Sequence, residues 1–197
     1  MGNLNSLDRP TGFTKYVGTK PLSSDGKDWY STIAACTPVA GDRILVVNGY
    51  TLTATETWAF SNVTIVFMPS QALTFTAAVT RALYITGNSN KIYDMKIDLN
   101  LAALTHGVEV GGTDNQLYGL VIDTKNAGLT LTNAITLSGS RNSAIGECLA
   151  TSGSITNKVG SVGTGCLASI SGLIKVNEIS ATGTIAGATV TGAVYGA

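Results

Sequence analysis

Ile85-Thr86-Gly87-Asn88-Ser89-Asn90-Lys91-Ile92-Tyr93-Asp94-Met95-Lys96-Ile97-Asp98 is answered twenty-five residues on by Val110-Gly111-Gly112-Thr113-Asp114-Asn115-Gln116-Leu117-Tyr118-Gly119-Leu120-Val121-Ile122-Asp123. The matched positions are Ile85/Val110, Gly87/Gly112, Asn90/Asn115, Ile92/Leu117, Tyr93/Tyr118, Met95/Leu120, Ile97/Ile122 and Asp98/Asp123. Apolar residues alternate with polar ones inside each copy, and a polar turn separates the copies. A repeat near 25 residues built of short alternating strands predicts a β-solenoid, in which each coil sends its apolar residues into a stacked interior. Asn90 and Asn115 then fall one above the other and can hydrogen-bond from coil to coil. A third copy begins at Leu137-Ser138-Gly139-Ser140-Arg141-Asn142 and ends at Ala150. Setting Asn142 on Asn115 turns Glu147 inward, which is costly for a lone carboxylate. A one-residue slip, with the extra residue in the turn, turns Ile145, Cys148 and Ala150 inward instead, and is the preferred reading.

The composition agrees with strands. The 197 residues include 27 Thr, 16 Ser, 13 Asn and 23 Gly, and only 12% are charged. Good helix formers with long charged side chains are scarce, and β-branched residues abound. The 12 basic and 12 acidic residues cancel, so there is no basic footprint for nucleic acid. No apolar run reaches membrane-spanning length, and Met1–Asn5 lacks the regions of a signal peptide. Cys36, Cys148 and Cys166 are widely spaced and odd in number, which reads as buried thiols in a protein made in a cytoplasm. With His106 the sole histidine, no metal site is expected, and no cofactor.

Residues 1–24 carry Pro10, Gly12, Gly18 and Pro21 and little periodicity, and read as an arm, with Phe13, Tyr16 and Val17 as its anchors. In residues 28–37, Trp29, Ile33 and Cys36 share a helical face behind Asp28 as N-cap, which predicts a short capping helix ended by Pro38. Strands are expected at Arg43–Val47, Tyr50–Thr53, Asn62–Met68 and Ala72–Thr76, and in all 25–158 forms the solenoid domain. Residues 159–197 are rich in Gly and small residues, and after Glu178 no charge appears. Ile185, Val190 and Val194 lie in that run and are expected to join three copies of the chain.

Asp25-Gly26-Lys27-Asp28, then Gly41-Asp42-Arg43-Ile44-Leu45-Val46-Val47-Asn48-Gly49-Tyr50 and Ser61-Asn62-Val63-Thr64-Ile65, resemble the opening of right-handed parallel β-helix proteins of the pectate-lyase and phage-tailspike type. The resemblance covers about residues 21–150. It implies an all-β, short right-handed parallel β-helix with an N-terminal capping helix, an extended N-terminal arm and a small-residue-rich C-terminal β segment. The arm, with Gly12-Phe13 and Val17, is similar to the starts of some small phage virion proteins, though Lys15-Tyr16 departs from their pattern. The function so implied is a homotrimeric bacteriophage virion protein: a capsid decoration (cement or head-fibre) protein whose arm lies on the major capsid protein, with a host-surface glycan as a further partner. The alternative is a receptor-binding tail fibre or tailspike component, joined to a tail adaptor. The third reading is a minimal polysaccharide lyase or hydrolase. For that last reading the candidate catalytic residues are Asp98 and Asp123, which the repeat stacks about 5 Å apart, near the separation of retaining glycosidase carboxylates. The expected protein is not an enzyme: Lys91 and Lys96 lie in the same region as the two aspartates but read as ordinary surface residues, and the repeat places no acid to orient His106.

Overall fold

The computed structural model describes residues 12–20 and 28–172. They form a parallel β-solenoid of about six turns with almost no helix. Its strands pair with equivalents one coil away and make three faces. The first face holds Lys15–Val17, Arg43–Val46, Thr64–Phe67, Lys91–Tyr93, the starts of Gln116–Thr124 and Ser143–Leu149, and Leu167–Ser171. The second holds Tyr50–Leu52, Ala72–Phe75, Lys96–Leu99 and the second half of Gln116–Thr124. The third holds Glu56–Trp58, Arg81–Ile85, Ala103–Val110, Thr130–Leu137 and Ser154–Val162. Alternation sends one residue in two to the interior. There Ile44, Ile65, Ile92, Leu117, Ala144 and Ala168 form one column from coil to coil.

The eight repeat matches hold in space, with Ile92 beside Leu117, Ile97 beside Ile122 and Asp98 beside Asp123. The turn between third and first faces explains why. The N–H of Val63 donates to Asn90 Oδ1 (3.1 Å), that of Asn90 to Asn115 Oδ1 (3.0 Å), that of Asn115 to Asn142 Oδ1 (2.9 Å), and that of Asn142 to Cys166 Sγ (3.3 Å). The coil lengths along this ladder are 27, 25, 27 and 24 residues. Each amide also donates backward, Asn90 to the Phe60 carbonyl, Asn115 to Gly87 and Asn142 to Gly112, and the Cys166 thiol does the same to Gly139. Those carbonyls are drawn under the next coil. A Cβ on Gly87, Gly112, Gly139 or Gly163 would collide with the carbonyl oxygen of Phe60, Gly87, Gly112 or Gly139 respectively. Here glycine is required for space. The residue before each ladder member (Asn62, Ser89, Asp114, Arg141, Gly165) is left-handed, with φ between 53° and 69°, so the turn geometry repeats although the residue types do not.

Two expectations are corrected. The segment 28–37 is not a helix: Trp29–Tyr30 is a strand paired with Tyr16 and Val17, and only Ala34–Cys36 makes a 3-10 turn. A ten-residue helix is marginal without a surface to cover, and here a strand partner was at hand. The third copy keeps Asn142 over Asn115, and the register shift falls within a strand, at Gly119, between Tyr118 and Leu120. Gly119 (φ 68°) takes the bend that Asp94 (φ 57°) takes one coil earlier, and the third copy has no such residue. Cys148 therefore pairs with Ile122 and points inward, but Ile145 pairs with Tyr118 and is 43% exposed, while Glu147 turns outward beside Val121. Of the residues read as an arm, Lys15–Val17 is a strand between Trp29–Tyr30 and Arg43–Val46, and residues 1–11 and 21–24 lie outside the described residues.

Candidate functional site

Asp98 and Asp123 are register neighbours on the outside of the second face, one rung or about 4.8 Å apart along the solenoid. The strands that carry them also carry their counter-ions. Lys96 Nζ lies 3.2 Å from Asp98 Oδ1, at ion-pair distance but out of hydrogen-bond alignment. Lys125 Nζ bonds Asp123, and that bond holds the Lys125 ammonium above its ordinary pKa. The Asp123 side chain is 2% exposed. The four groups thus make a neutral, closed cluster whose second carboxylate no sugar reaches. Lys91 stands apart on the first face, and Asp114 pairs with Arg141 across exposed turns at 2.7 Å.

The third face carries a polar ladder that the sequence reading did not assemble. Arg81, His106, Asn133 and Asn157 are in register, and so are Tyr84, Glu109 and Thr136. Asn157 Nδ2 donates to Asn133 Oδ1 (3.0 Å), which leaves Asn133 Nδ2 facing His106 Nδ1 at 3.4 Å. Thr136 Oγ1 lies 3.0 Å from the same nitrogen. The Asn133 amide and the Thr136 hydroxyl thus meet the ring at a single nitrogen, Nδ1. Glu109 does not orient the histidine: it takes Arg81 at 3.0 Å and the Ser138 hydroxyl at 3.1 Å, and Arg81 also lies over the Tyr84 ring, 4.4 Å from its centroid. Among the described residues no serine–histidine–acid relay is assembled, since Ser138 and Glu109 bond each other rather than His106. The signal for this ladder was the 25-residue period applied to the third face, where the strands share little sequence.

Of the residues expected to anchor the arm, Val17 is fully buried in the chain's own core, Tyr16 packs on Trp29 with ring centroids 5.3 Å apart, and Phe13 meets Tyr16 edge-on at 6.3 Å. Trp58 is buried, its indole donating to Glu56 Oε1 at 3.2 Å. Glu56 lies beside Tyr50, whose hydroxyl accepts the Ile33 N–H. Burial raises the Glu56 pKa despite these bonds, and burial pushes the Cys36 thiol up to about 11, so it is not a ready nucleophile. Ile185, Val190 and Val194 lie outside the described residues. A depression of about 330 Å³ lined by Ala78, Val79, Thr80, Ala103, Leu104 and Thr105 offers no titratable group. Among the described residues no three His, Cys, Asp or Glu side chains gather as metal ligands, and no helix is long and apolar enough to cross a membrane. Comparison of the chain with protein-family models, with curated proteins and with solved structures finds no match.

Proposed function

We propose that this chain is a non-catalytic structural protein of a bacteriophage particle, a homotrimeric decoration protein of the capsid. One observation carries the non-catalytic part: the outward charged groups with the best catalytic credentials are spent on one another, Asp98 and Asp123 on two lysines and Glu109 on Arg81. What they build is a stiff rod of stacked coils. The coils are taken as right-handed, the hand that parallel strand connections overwhelmingly adopt. The phage assignment rests on the resemblance of residues 21–150 to β-helix proteins and of the arm to virion proteins. The trimer rests on the uncharged run that holds Ile185, Val190 and Val194. In this reading the N-terminal segment attaches the rod to the major capsid protein, and the protein, made in the host cytoplasm, ends in the virion. It takes no cofactor and no nucleic acid.

The test is the copy number and position of the chain in purified particles, by quantitative mass spectrometry and cryo-electron microscopy. Density on the shell, in multiples of three, supports the proposal. Density at the tail moves the protein to the fibre class. Absence from particles, or release of oligosaccharides from host polysaccharide by the pure protein, overturns it.

A further inference from the structure

Outward on the third face, before the strands reach the polar ladder, stands a column of threonines. Leu104 pairs with Leu131 and His106 with Asn133, which sets Thr105 against Thr132. Leu131 pairs with Ile155 and Asn133 with Asn157, which sets Thr132 against Thr156. One coil earlier, the N–H groups of Thr105 and His106 both donate to the Thr80 carbonyl, at 3.1 and 3.0 Å, so Thr80 continues the column. All four threonines are exposed. Two residues before them, Ala103, Thr130 and Ser154 are in register as a second column. Between the columns Leu104, Leu131 and Ile155 are buried in the core. The register shift of Thr130–Leu137 against Ser154–Val162 falls beyond both columns, after Ile135.

The backbone sets the spacing of this surface. Its side chains repeat at about 4.8 Å along a column and about 6.6 Å along a strand. Ser154 Oγ donates to Thr130 Oγ1 at 3.3 Å. The hydroxyls of Thr80, Thr105, Thr132 and Thr156 make no such bond among the described residues and are left to water. A side chain branched at Cβ has few rotamers, so each rung offers a hydroxyl and a methyl at nearly fixed places. Neither column contains a charged residue, and the neighbouring Arg81 is drawn aside by Glu109 and the Tyr84 ring. Beside Ala78 and Ala103 the depression described above opens between Thr80 and Thr105, and a water seated there has hydroxyls to bond. The columns hold no aromatic ring for a sugar and no charge for an ionic polymer. They fit a neutral surface whose oxygen atoms repeat at these two distances, and faces of hexagonal ice present rows of oxygen close to both.

We infer that the threonine columns bind ice, through water ordered between their hydroxyls. The inference stands apart from the particle assignment and concerns a face which that assignment does not use. The test places the full chain, fluorescently labelled at its α-amine, around a slowly growing ice hemisphere, with labelled serum albumin as the solute that ice rejects. The native chain is expected to enter the ice and to slow recrystallisation in a frozen film. A lysine in the column would have to bury its ammonium against the ice, so Thr132→Lys should enter at least about tenfold less while keeping its circular dichroism spectrum. Thr51→Lys, at an equally exposed threonine on the second face, should behave as the native chain. Rejection of the native chain overturns the inference, and so does equal uptake of the native chain and Thr132→Lys. Equal loss in both lysine variants overturns it too, since added charge alone would then account for the loss. A native chain that ice rejects, but that a neutral polysaccharide or a second copy holds through Thr132, overturns it and gives the face to that occupant.

Discussion

Thr124 ends an interior column of Leu52, Phe75 and Leu99, and its buried Oγ1 has no hydrogen-bond partner. A hydroxyl in that position costs about 1 kcal/mol or more against a methyl of the same shape. Thr124→Val should therefore stabilise the protein by about 1 kcal/mol, read as a higher denaturant midpoint at unchanged slope. Asn115 carries the opposite balance. Its side chain accepts from the Asn90 backbone and donates to the Gly87 carbonyl, both without water at hand. Asn115→Ala strands both groups and should cost about 3 kcal/mol or more in the same titration. Asn115 was legible in the sequence because its partner was also an asparagine at the repeat distance. Cys166 was not, since nothing in residue identity says that a thiol can stand where an amide stood. Thr124 was not legible, because the inward side of that strand end is decided by packing against Leu99 and not by residue type.

At the scale of elements, the N-terminal end shows how a strand replaced the expected helix. Lys15 reaches the carbonyls of Cys36 (3.0 Å) and Thr37 (3.2 Å) and the Asp42 carboxylate at 2.7 Å, and Asp42 also accepts from Val39 and Thr14. These bonds join Lys15–Val17, the 3-10 turn and the start of Arg43–Val46. The helical spacing of Trp29, Ile33 and Cys36 was real but ran for only about two turns, and strand pairing and ring contact with Tyr16 claimed Trp29. Two acids in this end respond to pH in opposite senses. Burial works against the Asp42 charge, but Lys15, Val39 and Thr14 outweigh it and hold the carboxyl below its ordinary pKa. Its stabilising effect is complete above the unfolded-state value and is lost as pH falls through the folded one. Glu56 is raised by burial, so the folded state holds its proton longer, and its contribution declines as pH rises from the ordinary glutamate range through the raised value. In thermal melts across pH 3–8, Asp42→Asn should lower Tm at pH 7 and flatten the acid limb. Glu56→Gln should raise Tm at pH 7 relative to pH 4. Equal Tm shifts for either variant at both ends of the range would refute its assignment.

Across the whole molecule, each coil packs chiefly on the two beside it, which makes stability a sum over neighbours. A charge placed inside a middle coil should then do more than subtract energy. Ile92→Asp loses burial and strands a carboxylate, about 5 kcal/mol together, and it should split the cooperative unit. Trp29 and Trp58 both lie before this coil, so tryptophan fluorescence reports the first part and far-ultraviolet circular dichroism reports all of it. Their unfolding curves should coincide in the native chain and separate in the variant; coincidence in both would show a single indivisible domain. The period, the coil interior and the turn asparagines were legible because they recur. The surfaces were not, because which side of a strand faces a neighbour depends on registers summed over several coils, and the shift at Gly119 changes them midway. Repetition also leaves a question of length. Asn90, Asn115 and Asn142 each accept a bond from the coil before and hand one to the coil after, and none of them can register how many have gone by. Cys166 accepts one, but its own N–H turns back to Gly163 at 3.2 Å, and a thiol has no amide hydrogens left over. Among the described residues the ladder is a sentence of three asparagines that any further one could continue, and its last word is a sulfur atom.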